Sequence, residues 1–169
     1  MISVTLPLGL SFGFLGDALA VFMALTSSLV AAIIVFYSFG YMEHYANQNE
    51  YYLMVVLFIG AMMGLVFSTN LIFIYMFWEI AAICCWRLIG FYRGKDTVLK
   101  ADKAFLVTVG GALMMLVGFI GIYIQGGSFD LLELQGRGLD SWIMVLVLFG
   151  ILSKSATLPL HTWLPDAGV

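Results

Sequence analysis

Five long apolar runs, at about 17–40, 51–69, 71–92, 101–125 and 141–158, fill the chain from residue 17 onward, with short polar stretches between them. Each approaches or exceeds the roughly 20 apolar residues that cross a ~30 Å hydrocarbon core. Lipid offers no partner to a free backbone N–H or C=O, so helix is the spanning form open to such runs. The fifth run is interrupted at Pro159 and again at Pro165. Two prolines this close cannot share a continuous helix without freeing carbonyls. The pattern therefore predicts a broken helix, tolerated at membrane depth where protein or a water-filled cavity satisfies the freed groups.

The first residues follow a different period. Leu6, Leu8, Leu10, Phe12 and Phe14 alternate with Pro7, Gly9, Ser11 and Gly13. Period two with Gly and Pro interspersed predicts an extended amphipathic ribbon over 1–16, lying at the membrane surface. This stretch holds no Lys or Arg, so it lacks the basic start of a secretory signal. The expected architecture is an all-α integral membrane fold of about five transmembrane helices, the last discontinuous. The ribbon over 1–16 precedes a helical half-repeat over 17–169.

Composition agrees with the pattern: 63% of the residues are hydrophobic and 10% charged, against a soluble norm of roughly 25% charged. Mean hydropathy is +1.06. The net charge of −3 says little about partners, and no basic cluster interleaved with aromatics points to nucleic acid. Local charge says more. Arg93, Lys95, Lys100 and Lys103 crowd the 93–103 connection, with Arg87 just before it, whereas the 126–140 loop holds Arg137 against Asp130, Glu133 and Asp140. The positive-inside rule puts 93–103 in the cytoplasm and 126–140 outside, in a multi-pass protein of the cell membrane. Gly60 with Gly64, and Gly110, Gly111, Gly118 and Gly121, read as close-packing positions between helices. Met62, Met63, Met114 and Met115 read as core filling. Cys84 and Cys85 match no haem, iron–sulfur or zinc spacing and read as small buried side chains, so no cofactor is expected in this chain.

The candidate chemistry lies in charges at lipid depth. Glu79 sits mid-run and Lys154 lies deep in the fifth run. Burying such a charge costs at least about 2.5–3.5 kcal/mol, so each marks a functional-site hypothesis. An intramembrane acid and base together suggest a proton or ion relay. Arg87, eight positions after Glu79, is about 80° around the helix and about 12 Å along it, out of direct reach. It reads as a snorkelling anchor that biases the field at Glu79. His161 follows the break at Pro159 and reads as a relay partner or a helix-ending cap. Lys103 reads either as a cytoplasmic intake point for protons or as a positive-inside anchor.

Three stretches carry a family resemblance: Gly60 to Ile72, Phe77-Trp-Glu-Ile80 with Leu88 to Tyr92, and Ser153-Lys-Ser-Ala-Thr-Leu-Pro-Leu-His-Thr-Trp-Leu-Pro-Asp-Ala167. Over nearly its whole length the chain resembles the antiporter-like proton-conducting membrane subunits. These include the large pumping subunits of respiratory complex I, the multi-subunit sodium/proton antiporters and the membrane arms of hydrogenase-like complexes. The wording at 86–93 and 101–111 is similar to the hydrogenase-like or sulfur-reducing branch. The resemblance implies that Glu79 and Lys154 form a coupled pair on a discontinuous lysine helix. It implies a role as a proton- or cation-translocating subunit of a redox-driven respiratory complex, with other membrane subunits as partners. Two departures stand out. Val109 and Gly111 occupy places where the distal complex I subunit carries Arg and Asp, and the chain stops where a family member continues into a second inverted repeat. The expectation is a half-unit whose missing C-terminal half comes from another chain. The alternative is a non-conducting structural subunit that bridges its neighbours.

Overall fold

The computed structural model of the chain describes residues 2–5 and 11–168. An antiparallel hairpin comes first, β1 (Ile2–Thr5) with β2 (Ser11–Phe14), placing Ile2 opposite Phe14 and Thr5 opposite Ser11. The expected ribbon is extended, as its period requires, but it is folded back on itself. Leu6, Leu8 and Leu10 of the alternating set lie outside the described residues. Phe12 behaves as the alternation demands, packing edge-on against Phe14 at 4.7 Å and against Phe73 at 4.4 Å.

Among the described residues, four helices are long and apolar enough to cross a membrane. These are α1 (Ala18–Tyr41, continued by a 3-10 turn at Met42–His44), α2 (Gln48–Phe67), α3 (Leu71–Ile89) and α4 (Lys95–Gly126). A fifth, α5 (Ser141–Lys154), is apolar but has 14 residues, too few for the roughly 20 a full span needs. Beyond it come a 3-10 turn at His161–Trp163 and the short α6 (Leu164–Ala167). Polar side chains start the helices where lipid would leave N–H groups bare. Asp17 Oδ1 accepts from Ala20 N at 2.7 Å, and Asn70 Oδ1 accepts from Ile72 N at 2.9 Å.

Two boundaries differ from the hydropathy reading. The 93–103 stretch is not a connection: α4 begins at Lys95, so Lys95, Lys100 and Lys103 ride on its first turns. Hydropathy reports depth in lipid rather than backbone state, and Lys, Leu and Ala are all good helix formers. At 32 residues, α4 is about 48 Å long, so it overshoots the hydrocarbon and carries its basic end out of it. In the opposite sense, the fifth run ends its helix at Lys154 and not at Leu158. A proline ring collides with the carbonyl four residues earlier and pushes the preceding residue out of the α region. For Pro159 those residues are Ser155 and Leu158. Ala156 completes the exit with φ 51°, in the left-handed region.

The core lies between α3, α4 and α5, where Leu71, Met115, Phe119, Ile122 and Ile143 form a buried cluster. Close approach of α4 to α5 depends on glycine. A Cβ on Gly111 would overlap the Ser153 side chain, and one on Gly118 would sit 2.8 Å from Val147 Cγ2. Gly64 plays the same part beneath Phe77, whereas Gly60 and Gly110 face open space within the chain. Of the methionines, Met115 is buried in the core and Met114 exposed, while Met62 and Met63 line an apolar groove of about 630 Å³ beside α1. Helix α1 buries mainly Ala20, Ala24 and Ser38 and exposes Leu19, Phe22, Leu25 and Leu29.

At one end of the bundle, the extended link 68–70 between α2 and α3 is hydrogen-bonded on both sides. Thr69 N donates to Gly13 O at 3.0 Å, and Leu131 N donates to Thr69 O at 2.8 Å. The hairpin and the 126–140 loop are thereby tied to one seam of buried Ser68, Thr69, Asn70 and Asp130.

Replacing Gly111 by Leu should lower stability by about 1–3 kcal/mol or more through overpacking of α4 on α5. Gly60→Ala, at an open position, should stay within about 0.5 kcal/mol. Thermal unfolding of the detergent-solubilised protein checks both.

Candidate ion-translocation site

The break after α5 frees carbonyls, and the chain satisfies them itself. Ser155 N donates to Ile151 O at 2.9 Å and Thr157 N to Leu152 O at 3.0 Å. The indole of Trp163, ten residues on and buried, folds back to donate from Nε1 to Ser153 O at 2.9 Å. This answers the requirement that broken backbone in a membrane be satisfied by protein.

Lys154 stands in the last turn of α5, the end at which a helix dipole favours a cation. Its Nζ donates to the carbonyl of Trp78 at 3.2 Å and lies 5.7 Å from the centroid of the Trp78 ring. That carbonyl belongs to the residue immediately before Glu79. The lysine thus reaches across to the turn of α3 that carries the acid. They are not in contact: among the described residues no ion pair joins Glu79 to Lys154. Glu79 Oε1 and Trp78 Nε1 are both buried without a hydrogen-bond partner among the described residues. Orphaned buried polar atoms are rare enough that each calls for a reason, and here two fall on adjacent residues beside the lysine. Tyr75, one turn before Glu79 on the same face, interacts with its carboxyl.

A small cavity of about 20 Å³ adjoins Lys154, walled by Cys85, Trp86, Phe105, Thr108 and Trp163 among others. It has room for about one water molecule. Glu79 shares a stripe of α3 with Ala82 and Trp86, since seven positions bring a helix back to within about 20°. Both cysteines are free; Cys84 is buried, and Cys85 lines this cavity.

The other anticipated residues lie apart from this pair. Arg87 pairs with Glu50 at the start of α2, and Arg93 Nη2 joins the same carboxylate at 2.7 Å. Arg87 is therefore a helix-end clamp rather than a lone snorkelling side chain. Lys103 Nζ contacts Asp166 Oδ2 at 2.6 Å and donates to Thr162 O at 2.9 Å. His161 is exposed, and no hydrogen bond among the described residues joins it to Lys154. Pro159 sits in the turn after α5, and Pro165 opens α6 in its first turn, a position where the missing N–H costs nothing.

Comparison with known proteins places these features in a group. Residues 68–169, which hold Glu79, Lys154 and the break, match the family described as NADH:quinone oxidoreductase/Mrp antiporter, TM. Residues 2–52 match the N-terminus of chain 5 of NADH-ubiquinone oxidoreductase (complex I). The chain belongs to the NADH:quinone oxidoreductase/Mrp antiporter family. It is 37% identical over 168 residues to Na(+)/H(+) antiporter subunit A1 of Staphylococcus haemolyticus, covering 95% of this chain and 21% of that protein. It is 36% identical over 171 residues to NAD(P)H-quinone oxidoreductase chain 5 of a Picosynechococcus species, covering 94% of this chain and 26% of the relative. The fold matches a chain of the Mrp complex of a Dietzia species with TM-score 0.91 and 28% identity, over 98% of this chain and 19% of that one. The chain thus spans about a fifth to a quarter of the length of these relatives.

Within this family frame, four contacts escaped the sequence. The Trp78 carbonyl under Lys154 is a backbone group and carries no residue signal. The Glu50 clamp joins residues far apart in the chain. Asp166 and Trp163 were visible in the motif, but their reach back to Lys103 and Ser153 needs the turn geometry.

Lys103 beside Asp166 holds that carboxyl below the usual carboxylate range, through the hydrogen bond first and through charge second, with Lys100 adding to it. A group depressed in the folded state stabilises above its ordinary value of about 3.9 and loses that contribution as pH falls through the lower folded value. Docking of residues 161–167 on α4 should therefore be unchanged from about pH 8 to pH 5 and loosen below about pH 4. Hydrogen exchange of that segment reads this directly, and Asp166→Asn should remove the acid dependence.

Proposed function

We propose that this chain is part of a cation-translocating, antiporter-like membrane subunit, and that Glu79 and Lys154 carry the charge changes that move a proton. The observation that supports this most is the bond from Lys154 Nζ to the Trp78 carbonyl, 3.2 Å long, which anchors the lysine one residue from an acid with a buried, unpartnered oxygen. An acid and a base held on neighbouring helices without touching form a pair with somewhere to go. At an effective dielectric of about 20, closing them to 4 Å is worth about 4 kcal/mol. Alternating between the present separation and contact would load and discharge the lysine.

The intake side is the end where α4 carries Lys95, Lys100 and Lys103, which the positive-inside rule assigns to the cytoplasm. His161 is exposed beyond the break and suits a hand-off to whatever adjoins this face, not a direct link to Lys154. The chain performs this inside a multi-subunit, redox-driven respiratory complex, with other membrane subunits completing the path. No step needs a cofactor held here: the residues around the pair bind, orient and exchange protons.

Inverted membrane vesicles carrying the assembled complex test the reading. Glu79→Gln and Lys154→Met should each lower proton uptake at least about tenfold, a loss of about 1.4 kcal/mol or more in the coupled step, while the complex still assembles. Uptake energised by an electron donor supports the redox-driven assembly, and uptake energised by a sodium gradient alone moves the chain to the antiporter side. Undiminished uptake in both variants would assign it the bridging, non-conducting role.

A further inference from the structure

Consecutive residues of α4 hold the Trp86 indole and the segment that carries Trp163, both of which line the cavity beside Lys154. Asp102 Oδ1 accepts from Trp86 Nε1 at 2.9 Å. Lys103 holds Asp166 at 2.6 Å and the Thr162 carbonyl at 2.9 Å, and so fixes the residues on both sides of Trp163. Trp163 in turn lines the cavity and bonds the Ser153 carbonyl, one residue before Lys154. Most of the cavity wall is thus built from α3 and α4, and Trp163 closes it from a short returning segment. That segment packs on α4, and its polar ties there among the described residues are the Lys103–Asp166 pair and the bond from Lys103 to the Thr162 carbonyl.

We infer that the Lys103–Asp166 pair is a latch that sets access to Lys154 by seating Trp163 against the end of α5. Neither member of the pair is buried, with side chains 44% and 38% exposed, so the contact is screened by solvent and can break and re-form. What it holds in place is buried: Trp163 is 9% exposed and Ser153 fully enclosed. With the latch closed, the space at Lys154 admits about one water and nothing larger. With it open, residues 161–167 lose their tie to α4, the indole leaves Ser153, and the lysine faces the end of the bundle where α4 begins. Lys103 then acts as a positioning residue that gates the lysine. It need not carry the transported charge itself. The consequence for transport rests on the reading of Lys154 given above; the gate itself does not.

Cys85 offers a native reporter, because it lines the same cavity as Lys154 and Trp163. The chain has two cysteines, so Cys84→Ala leaves Cys85 as its one thiol. In that background, in membranes holding the assembled complex, a small charged methanethiosulfonate is applied and labelling of the Cys85 peptide is followed by mass spectrometry. Lys103→Met and Asp166→Asn should each speed labelling about tenfold by raising the open population. The exchanged pair Lys103→Asp with Asp166→Lys should restore the slow rate. Trp163→Phe keeps the ion pair but loses the bond to Ser153, and it should speed labelling on its own, which guards against a charge variant that fails to assemble. Equal labelling rates in all of these would overturn the latch. Lys154→Met, which should stop ion movement while leaving Cys85 labelling slow, separates failure of the gate from failure of the transport reading.

Discussion

A helix that stops inside lipid leaves carbonyl groups that water cannot reach, and each must find a protein partner or cost several kcal/mol. That constraint organises the end of the molecule around Lys154. Pro159 forbids the α-helix from continuing past Lys154. The freed carbonyls of Ile151, Leu152 and Ser153 are then capped by Ser155, Thr157 and the Trp163 indole. Because the cap comes from ten residues downstream, the segment from His161 to Ala167 has to turn back over the bundle. Once there, it is within reach of Lys103 on α4. The same break puts Lys154 at a helix terminus, where the dipole favours its charge, instead of mid-helix, where nothing would.

The rest of the bundle holds that terminus against α3. Helix α4 is the spine. Gly111 and Gly118 let α5 lie close enough for Lys154 to reach the Trp78 carbonyl. Its overlong first turns carry Asp102 and Lys103 to the two tryptophans at the cavity. At the opposite end, the 68–70 link is fixed between the hairpin and the 126–140 loop, which locks the start of α3 and with it the height of Glu79. The Glu50 clamp on Arg87 and Arg93 fixes the other end of the same helix. Helix α3 is therefore pinned at both termini, while Glu79 in its middle keeps a buried oxygen unpartnered. Helix α1, by contrast, buries mainly Ala20, Ala24 and Ser38, and none of its residues lines the cavity beside Lys154.

Much of this was legible in the linear pattern. Hydropathy located the spans because a ~30 Å hydrocarbon layer demands a minimum length of apolar helix. Period two marked the extended start, since alternation has one structural meaning. Pro159 announced the break, and the cost of charge in lipid singled out Glu79 and Lys154. Where the reading went astray, the cause was also physical. Charged residues at 95–103 look like a loop by polarity, yet they propagate a helix as well as leucine does. Arg87 looked unpartnered because Glu50 lies on a different helix.

The order of apolar runs, prolines and rare charges is local information, and it was enough for the fold class and for singling out the two charges deepest in the apolar runs. Which partners those residues meet is a matter of distance in space, and no periodicity encodes it. That Lys154 grips a backbone carbonyl next to Glu79, and that Trp163 seals the end of α5 under the hold of Lys103 on Asp166, follows from how α3, α4 and α5 pack and from the path a broken helix must take to satisfy its own carbonyls.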